Sequence, residues 1–216
     1  MPWLVLNMTS DMGVSGSDWA NFFATTCWFI WRQRNDVVFN NSANVAVDPI
    51  GGVCVKEQRL IRWHPPDVGW LKFNVDGAVK ESVGVASCGG VARDSTGAFV
   101  AGFIRKLSWC DIIGAELWAV LSALEAAWEL GYKKLIIESD CLTVVNLIQH
   151  CVHDKHPCAA IISQIHHWIA YDWDVLIVHC YRESNFVADA AASKACDARD
   201  FGLLVFRLFL FFCSVC

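Results

Sequence analysis

The chain has 216 residues, 55% of them hydrophobic, and a net charge of −5. That length suits one ordinary domain plus extra segments, and that hydrophobic share supplies a sizeable core and excludes global disorder. The acidic balance, with no basic run, by itself argues against a dedicated nucleic-acid binder, and eleven Cys scattered singly exclude a disulfide framework.

Met1 to Ser10 has no basic n-region and no long apolar run, so no signal peptide is expected. With the unpaired cysteines this points to a reducing compartment, nuclear or cytoplasmic. Ser17 to Asn41 reads as a helix loaded with Trp19, Phe22, Phe23, Trp28, Phe29 and Trp31. Its aromatics spread around the axis, so it is buried on most sides or meets a protein partner. A connector follows, and Trp63-His64-Pro65-Pro66 forces an extended path. The expected division is 1–64 for the helix and connector, 65–198 for the main domain and 199–216 for an apolar tail.

Leu71, Phe73 and Val75 alternate with Lys72, Asn74 and Asp76, the period of a strand with one buried face, which Asp76 closes before Gly77 begins a turn. Gly84 to Arg93 and Ala98 to Ile104 form an antiparallel hairpin around Asp94-Ser95-Thr96-Gly97. Asp111 to Leu130 is the clearest helix, stopped at Gly131. Lys134 to Asp140 is an apolar strand ending in a carboxylate. Leu142 to His150 and Pro157 to Ala170 are helices, the latter with Pro157 in its first turn. Val175 to Tyr181 is a fifth strand, and Ser184 or Asn185 caps a last helix through about Ala198. The order implies a mixed five-stranded sheet, three strands antiparallel and two reached through helices.

Leu203 to Cys216 is apolar but short of the roughly 20 residues that span a bilayer, so stable membrane insertion is not expected. Packing on the domain, lying on a membrane and a truncated reading frame all remain open for it. Cys213-Ser214-Val215-Cys216 has metal-ligand spacing but no second pair or nearby His, so no zinc site is expected.

Four carboxylates are out of place. Asp76 and Asp140 end strands that emerge at the same sheet edge if those strands are parallel neighbours. Glu116 sits among Ile112, Ile113, Ala119, Val120 and Ala123 at helical spacing, with no basic residue at i±3 or i±4. Asp189 stands among small apolar residues one turn into the last helix. Water at a helix edge, an N-cap and a favourable helix dipole would excuse Glu116, Asp140 and Asp189 separately. Jointly they supply hard oxygen ligands suited to Mg²⁺ or Mn²⁺, and two such ions form the clamp used in phosphodiester hydrolysis. From Trp70 to Ala198 ten Lys and Arg stand against fifteen Asp and Glu, a balance of −5. Two bound dications would bring that to about −1 and answer the charge objection.

With these residues in hand the domain resembles the ribonuclease H family, specifically plant type-1-like domains related to the reverse transcriptases of non-LTR retroelements. The matching stretches are Asn74 to Ala78, Gly90 to Asp94, Ala115 to Ala119, Glu138 to Asp140, and His179 with Arg182 to Asn185 and Ala188-Asp189, in the family's order. Cys27 to Asn35 also looks like the segment that precedes such domains. The resemblance implies a ribonuclease H-like fold and endonucleolytic cleavage of the RNA strand of an RNA–DNA hybrid. It implies that Asp76, Glu116, Asp140 and Asp189 hold two Mg²⁺ ions, with Mn²⁺ a substitute, and that His179 assists proton transfer or product release. Asn74, Gly77, Gly89, Gly90, Arg182 and Asn185 are then the expected nucleic-acid contacts. The chain departs from bacterial relatives in lacking a second His before the last helix and a basic protrusion. The alternative reading is a retroelement-derived domain, catalytically weak or inactive, that binds nucleic acid or protein.

Overall fold

The alternation over Leu71, Phe73 and Val75 forms the central strand of a mixed sheet. In the computed structural model, which describes residues 62–150, 155–198 and 201–207, this strand is β1 (Leu71–Lys80). β2 (Val85–Arg93), β3 (Phe99–Leu107), α1 (Ile112–Glu129) and β4 (Lys134–Ser139) follow. Then come α2 (Leu142–Gln149), α3 (Ala159–Ile169), β5 (Asp174–His179), α4 (Phe186–Ala195) and β6 (Gly202–Arg207). The sheet order is β5-β4-β1-β2-β3-β6. β1 to β3 are antiparallel neighbours, and β4 and β5 join β1 in parallel, as expected.

Local chemistry explains the elements. Asp94 turns the β2–β3 hairpin by accepting from the backbone of Thr96 at 2.8 Å and of Ala98 at 3.0 Å, while Gly97 takes a φ of 78°. Asp111 caps α1 by accepting from the Gly114 amide at 2.7 Å. Gly131, at φ 78°, closes that helix, its amide donating to Trp128 and that of Tyr132 to Ala127. α1 is buried nearly all round because the sheet covers one side and α2 and α3 the other; α4 packs on the opposite face over β1, β2 and β3.

Several expectations are corrected. The sheet has six strands: Gly202–Arg207, within the stretch read as a tail, pairs antiparallel with β3. It docks because Gly102 leaves a notch that the Phe206 ring fills; a Cβ at Gly102 would meet that ring at 2.3 Å. β1 does not close at Asp76 but runs on to Lys80, since β2 continues to pair with it. Nor is only one face of β1 buried: Lys72, Asn74 and Asp76 are all enclosed with Leu71, Phe73 and Val75. Asn185 and Ser184 do not cap α4 with their side chains, which donate instead to the carbonyls of Val75 and Tyr181. α3 begins at Ala159, so Pro157 precedes it rather than sitting in its first turn. The N-terminal aromatic helix and Cys213–Cys216 lie outside the described residues. No described helix is long and apolar enough to cross a membrane.

Trp63 shows how the incoming chain is tied down. Its ring is buried, and the Arg93 guanidinium carbon lies 3.7 Å from the ring centroid. Trp63→Ala is expected to cost about 3–5 kcal/mol, lowering the melting temperature by roughly 10 °C or more. Thermal denaturation followed by circular dichroism checks this; an unchanged melting temperature would mean the strap contributes nothing.

Candidate active site

Strand register delivers the first two acids. The parallel pairing of β1 with β4 ends at Val75 opposite Ser139, so Asp76 and Asp140 are the next residues on two strands that have just parted. Beyond this point β1 pairs, among the described strands, with β2 alone, and the gap left by β4 gives the Asp76 carboxyl room beside that of Asp140.

The third acid comes from α1. Gly77 faces this helix so closely that a Cβ there would stand 2.5 Å from the Glu116 nitrogen and 2.6 Å from the Ala115 carbonyl carbon. The missing side chain lets the second turn of α1 settle against β1, and Glu116 arrives next to Asp76. The Ser139 hydroxyl, at the end of β4, donates to Glu116 Oε2 at 3.3 Å. One carboxylate oxygen from each of Asp76, Glu116 and Asp140 then lies within 4.8 Å of the others.

Charge at this spot is costly. Burial, then the charges of Glu116, Asp140 and Asp189, hold the Asp76 carboxyl well above the usual carboxylate range. Burial, followed by the Asp140 charge, raises Glu116 as well, opposed in part by hydrogen bonds from the Gly77 amide and the Ser139 hydroxyl. Acids raised in the folded state bind protons more readily there than in the unfolded chain, so their contribution favours folding in acid and is lost as pH rises. The metal-free chain should therefore lose thermal stability between about pH 5 and about pH 9, and Mg²⁺ should restore most at the alkaline end. Melting curves in EDTA and in Mg²⁺ across that range test this; a flat EDTA curve would show that the acids carry no electrostatic cost.

The remaining expected residues are placed as follows. Asp189 is exposed on the first turn of α4, outside the close trio, though near enough for its charge to act on Asp76. His179 is exposed at the end of β5, on the rung of Ser139, its ring edge-on to Tyr181 at 5.9 Å. Arg182 is exposed in a short 3-10 turn. Asn74, Gly77, Gly89, Gly90 and Asn185 are buried and have work inside the fold. A Cβ at Gly89 would meet the Ala191–Ala192 backbone at 2.6 Å, and one at Gly90 the Phe103 ring at 2.4 Å. Asn185 anchors α4 to β1 by donating to the Val75 carbonyl at 2.9 Å, one residue before Asp76. Ser139 was not singled out from the sequence; its only signal was its place between Glu138 and Asp140.

A mixed sheet in this order, with acids where β1 and β4 part and on the helix crossing them, defines a ribonuclease H-like domain. Residues 74–195, more than half of the chain, match a family described as reverse transcriptase-like, and the chain belongs to that family. The Arabidopsis thaliana protein named "Putative ribonuclease H protein At1g65750" is 34% identical over 212 residues, covering 89% of this chain and 34% of its own length. This chain thus spans about a third of that relative. Among solved structures, ribonuclease H1 of the archaeon Halobacterium salinarum is 26% identical, with a TM-score of 0.55, over 59% of this chain and 98% of that one. LC11 ribonuclease H1, solved in complex with an RNA/DNA hybrid, shares the fold at 22% identity and a TM-score of 0.54, over 59% and 96%.

Proposed function

We propose that this domain hydrolyses the RNA strand of RNA–DNA hybrids endonucleolytically, using divalent metal ions. The observation that carries this reading is the meeting of Asp76, Glu116 and Asp140 within 4.8 Å of one another. The donor set fits the ions: three hard carboxylates, two of them buried, whose mutual repulsion a cation would remove. Asp76, Glu116 and Asp140 would hold two Mg²⁺, or Mn²⁺ in its place, with Asp189 approaching from the exposed side. When bound, the ions supply Lewis acidity for the attacking water and the leaving 3′ oxygen.

The protein's own part is to hold and orient. Gly77 lets Glu116 approach, Ser139 fixes its carboxylate, and Asn185 fastens α4, which carries Asp189, to the strand that carries Asp76. The solvent-facing His179 and Arg182 are the groups placed to meet a phosphate backbone. Of the six residues expected to touch the hybrid, the buried five leave little surface for it, so affinity should be modest. The likeness to ribonucleases H, one of them solved with a hybrid, supports the substrate class.

The test is direct. Purified, folded chain incubated with a labelled hybrid and Mg²⁺ or Mn²⁺ should cut the RNA strand and leave duplex DNA intact. An uncut hybrid under both metals would reject the proposal. A second reading, binding without cleavage, is favoured by Leu176, Val178 and Tyr181, which stand 50%, 37% and 59% exposed on and just after β5. Tight hybrid binding in EDTA with no cutting on addition of metal would select it.

A further inference from the structure

One rung before β1 and β4 part, a run of enclosed polar side chains joins them. Asn74 and Glu138 are register partners, each two residues upstream of a site carboxylate, Asp76 and Asp140. Glu138 Oε2 accepts from Asn74 Nδ2 at 2.9 Å, and its Oε1 accepts from Lys72 Nζ at 2.6 Å. Asn74 Oδ1 accepts from Arg93 Nη2 at 2.7 Å. Lys72 also donates to the His64 carbonyl at 2.9 Å, and Trp63 covers Arg93. Asn74 and Arg93 are 0% and 1% exposed.

The chemistry of this run permits one arrangement. Arg93 offers only donors, so the Asn74 amide must turn its oxygen there; ionised Glu138 offers only acceptors, so the NH₂ must face it. A slip of one residue between β1 and β4 would set Asn74 opposite Ile137 or Ser139 and take from Glu138 the hydrogen bonds of both Asn74 and Lys72. An enclosed carboxylate left unpaired in this way is strongly destabilising, whereas an all-apolar face would tolerate alternatives more readily. Buried ionic groups contribute little net stability, and their best-attested use is to specify register.

We propose that Glu138 and Asn74 are positioning residues, a clamp that sets the spacing of the Asp76 and Asp140 carboxylates as metal ligands. The clamp extends through Lys72 and Arg93 to the Trp63–His64 strap, so the incoming chain and the acidic site are mechanically joined. This inference rests on the reading of the site as a divalent-metal centre. It gives Asn74 a role inside the protein rather than against nucleic acid.

The test measures Mg²⁺ affinity by calorimetry on the full chain, at a temperature where circular dichroism shows every variant folded. Glu138→Ala and Asn74→Ala should each weaken Mg²⁺ binding about 10–100-fold, and the double variant should be no worse than the weaker single. Cleavage lost at low Mg²⁺ should return at high Mg²⁺. Arg105→Ala, which breaks a 2.9 Å ion pair with Glu125 between β3 and α1, is the matched control and should change affinity less than about twofold while lowering the melting temperature. Should an alanine variant fail to fold, the near-isosteric Glu138→Gln replaces it and should weaken binding in the same direction. Mg²⁺ affinity in the clamp variants no different from that of the control overturns the clamp alone. A parent chain that shows no Mg²⁺ binding overturns the metal-centre reading, and the clamp with it.

Discussion

Asp76→Asn should abolish hybrid cleavage and, in the same protein, raise its metal-free stability. Asn keeps the shape of the side chain but removes a charge that burial and three neighbouring acids oppose. Losing this ligand should lower the cleavage rate by at least about 10³-fold, equivalent to roughly 4 kcal/mol of transition-state stabilisation. Relief of the repulsion should add roughly 1–3 kcal/mol in EDTA, a rise of about 3–10 °C in melting temperature. The opposite signs are the informative part. A side chain kept for packing would lose stability on substitution, and one kept for an unrelated surface role would leave cleavage unchanged. Retained cleavage would remove Asp76 from the site; a lower melting temperature in EDTA would show that its charge is already compensated within the protein.

Gly77→Ala should damage both fold and site. The atoms a methyl group would meet are backbone, the Glu116 nitrogen and the Ala115 carbonyl carbon, and neither can swing aside as a long side chain could. The second turn of α1 must therefore lift from β1. Overpacking of this kind costs about 1–3 kcal/mol, and the rigidity of the obstacle places the expected loss at the upper end, a fall of roughly 5–10 °C. Because the lifted turn carries Glu116, Mg²⁺ binding should weaken as well. Melting curves with and without Mg²⁺ separate the two effects: the shift on adding metal should shrink along with the melting temperature. A full Mg²⁺ shift in a destabilised variant would show that Glu116 keeps its place without the close approach.

These two residues also show how far the chain could be read before its fold was known. Glu116 stood out because a carboxylate occurred where the local pattern called for an apolar position, and Asp76 because it was read as closing a strand. Asp140 stood out as a strand-ending acid. Gly77 gave no such signal. A glycine after an Asp reads as a turn, and here it is a strand residue whose missing Cβ admits a helix. Gly89, Gly90 and Gly102 differ: glycines inside a strand suggest a bulge or close backbone approach, and these three serve as notches for α4, Phe103 and Phe206. At Gly77 only the neighbours in space distinguish a glycine used for close packing from one used for a turn.

The polar half of β1 was the other blind spot. Period-two alternation says that Lys72, Asn74 and Asp76 share a face, and they do. It does not say what lies over that face. Trp63, Arg93, Glu138 and α4 enclose it, and these residues come from separate parts of the chain. An Asn expected to meet nucleic acid has its side chain enclosed and hydrogen-bonded to two charged partners, Glu138 and Arg93.

What the amino-acid order determined by itself is the list of elements and their kinds: alternation for the strands, three-and-four spacing for α1, Asp and Gly for its ends, and the order that makes the sheet mixed. Those features depend on residues near one another along the chain. The sixth strand, the extension of β1 past Asp76, the enclosure of its polar face and the separation of Asp189 from the closest acids were decided only in three dimensions. Each depends on which distant segment fills the space beside a residue, and a local pattern specifies the direction a side chain takes without specifying what it will find there.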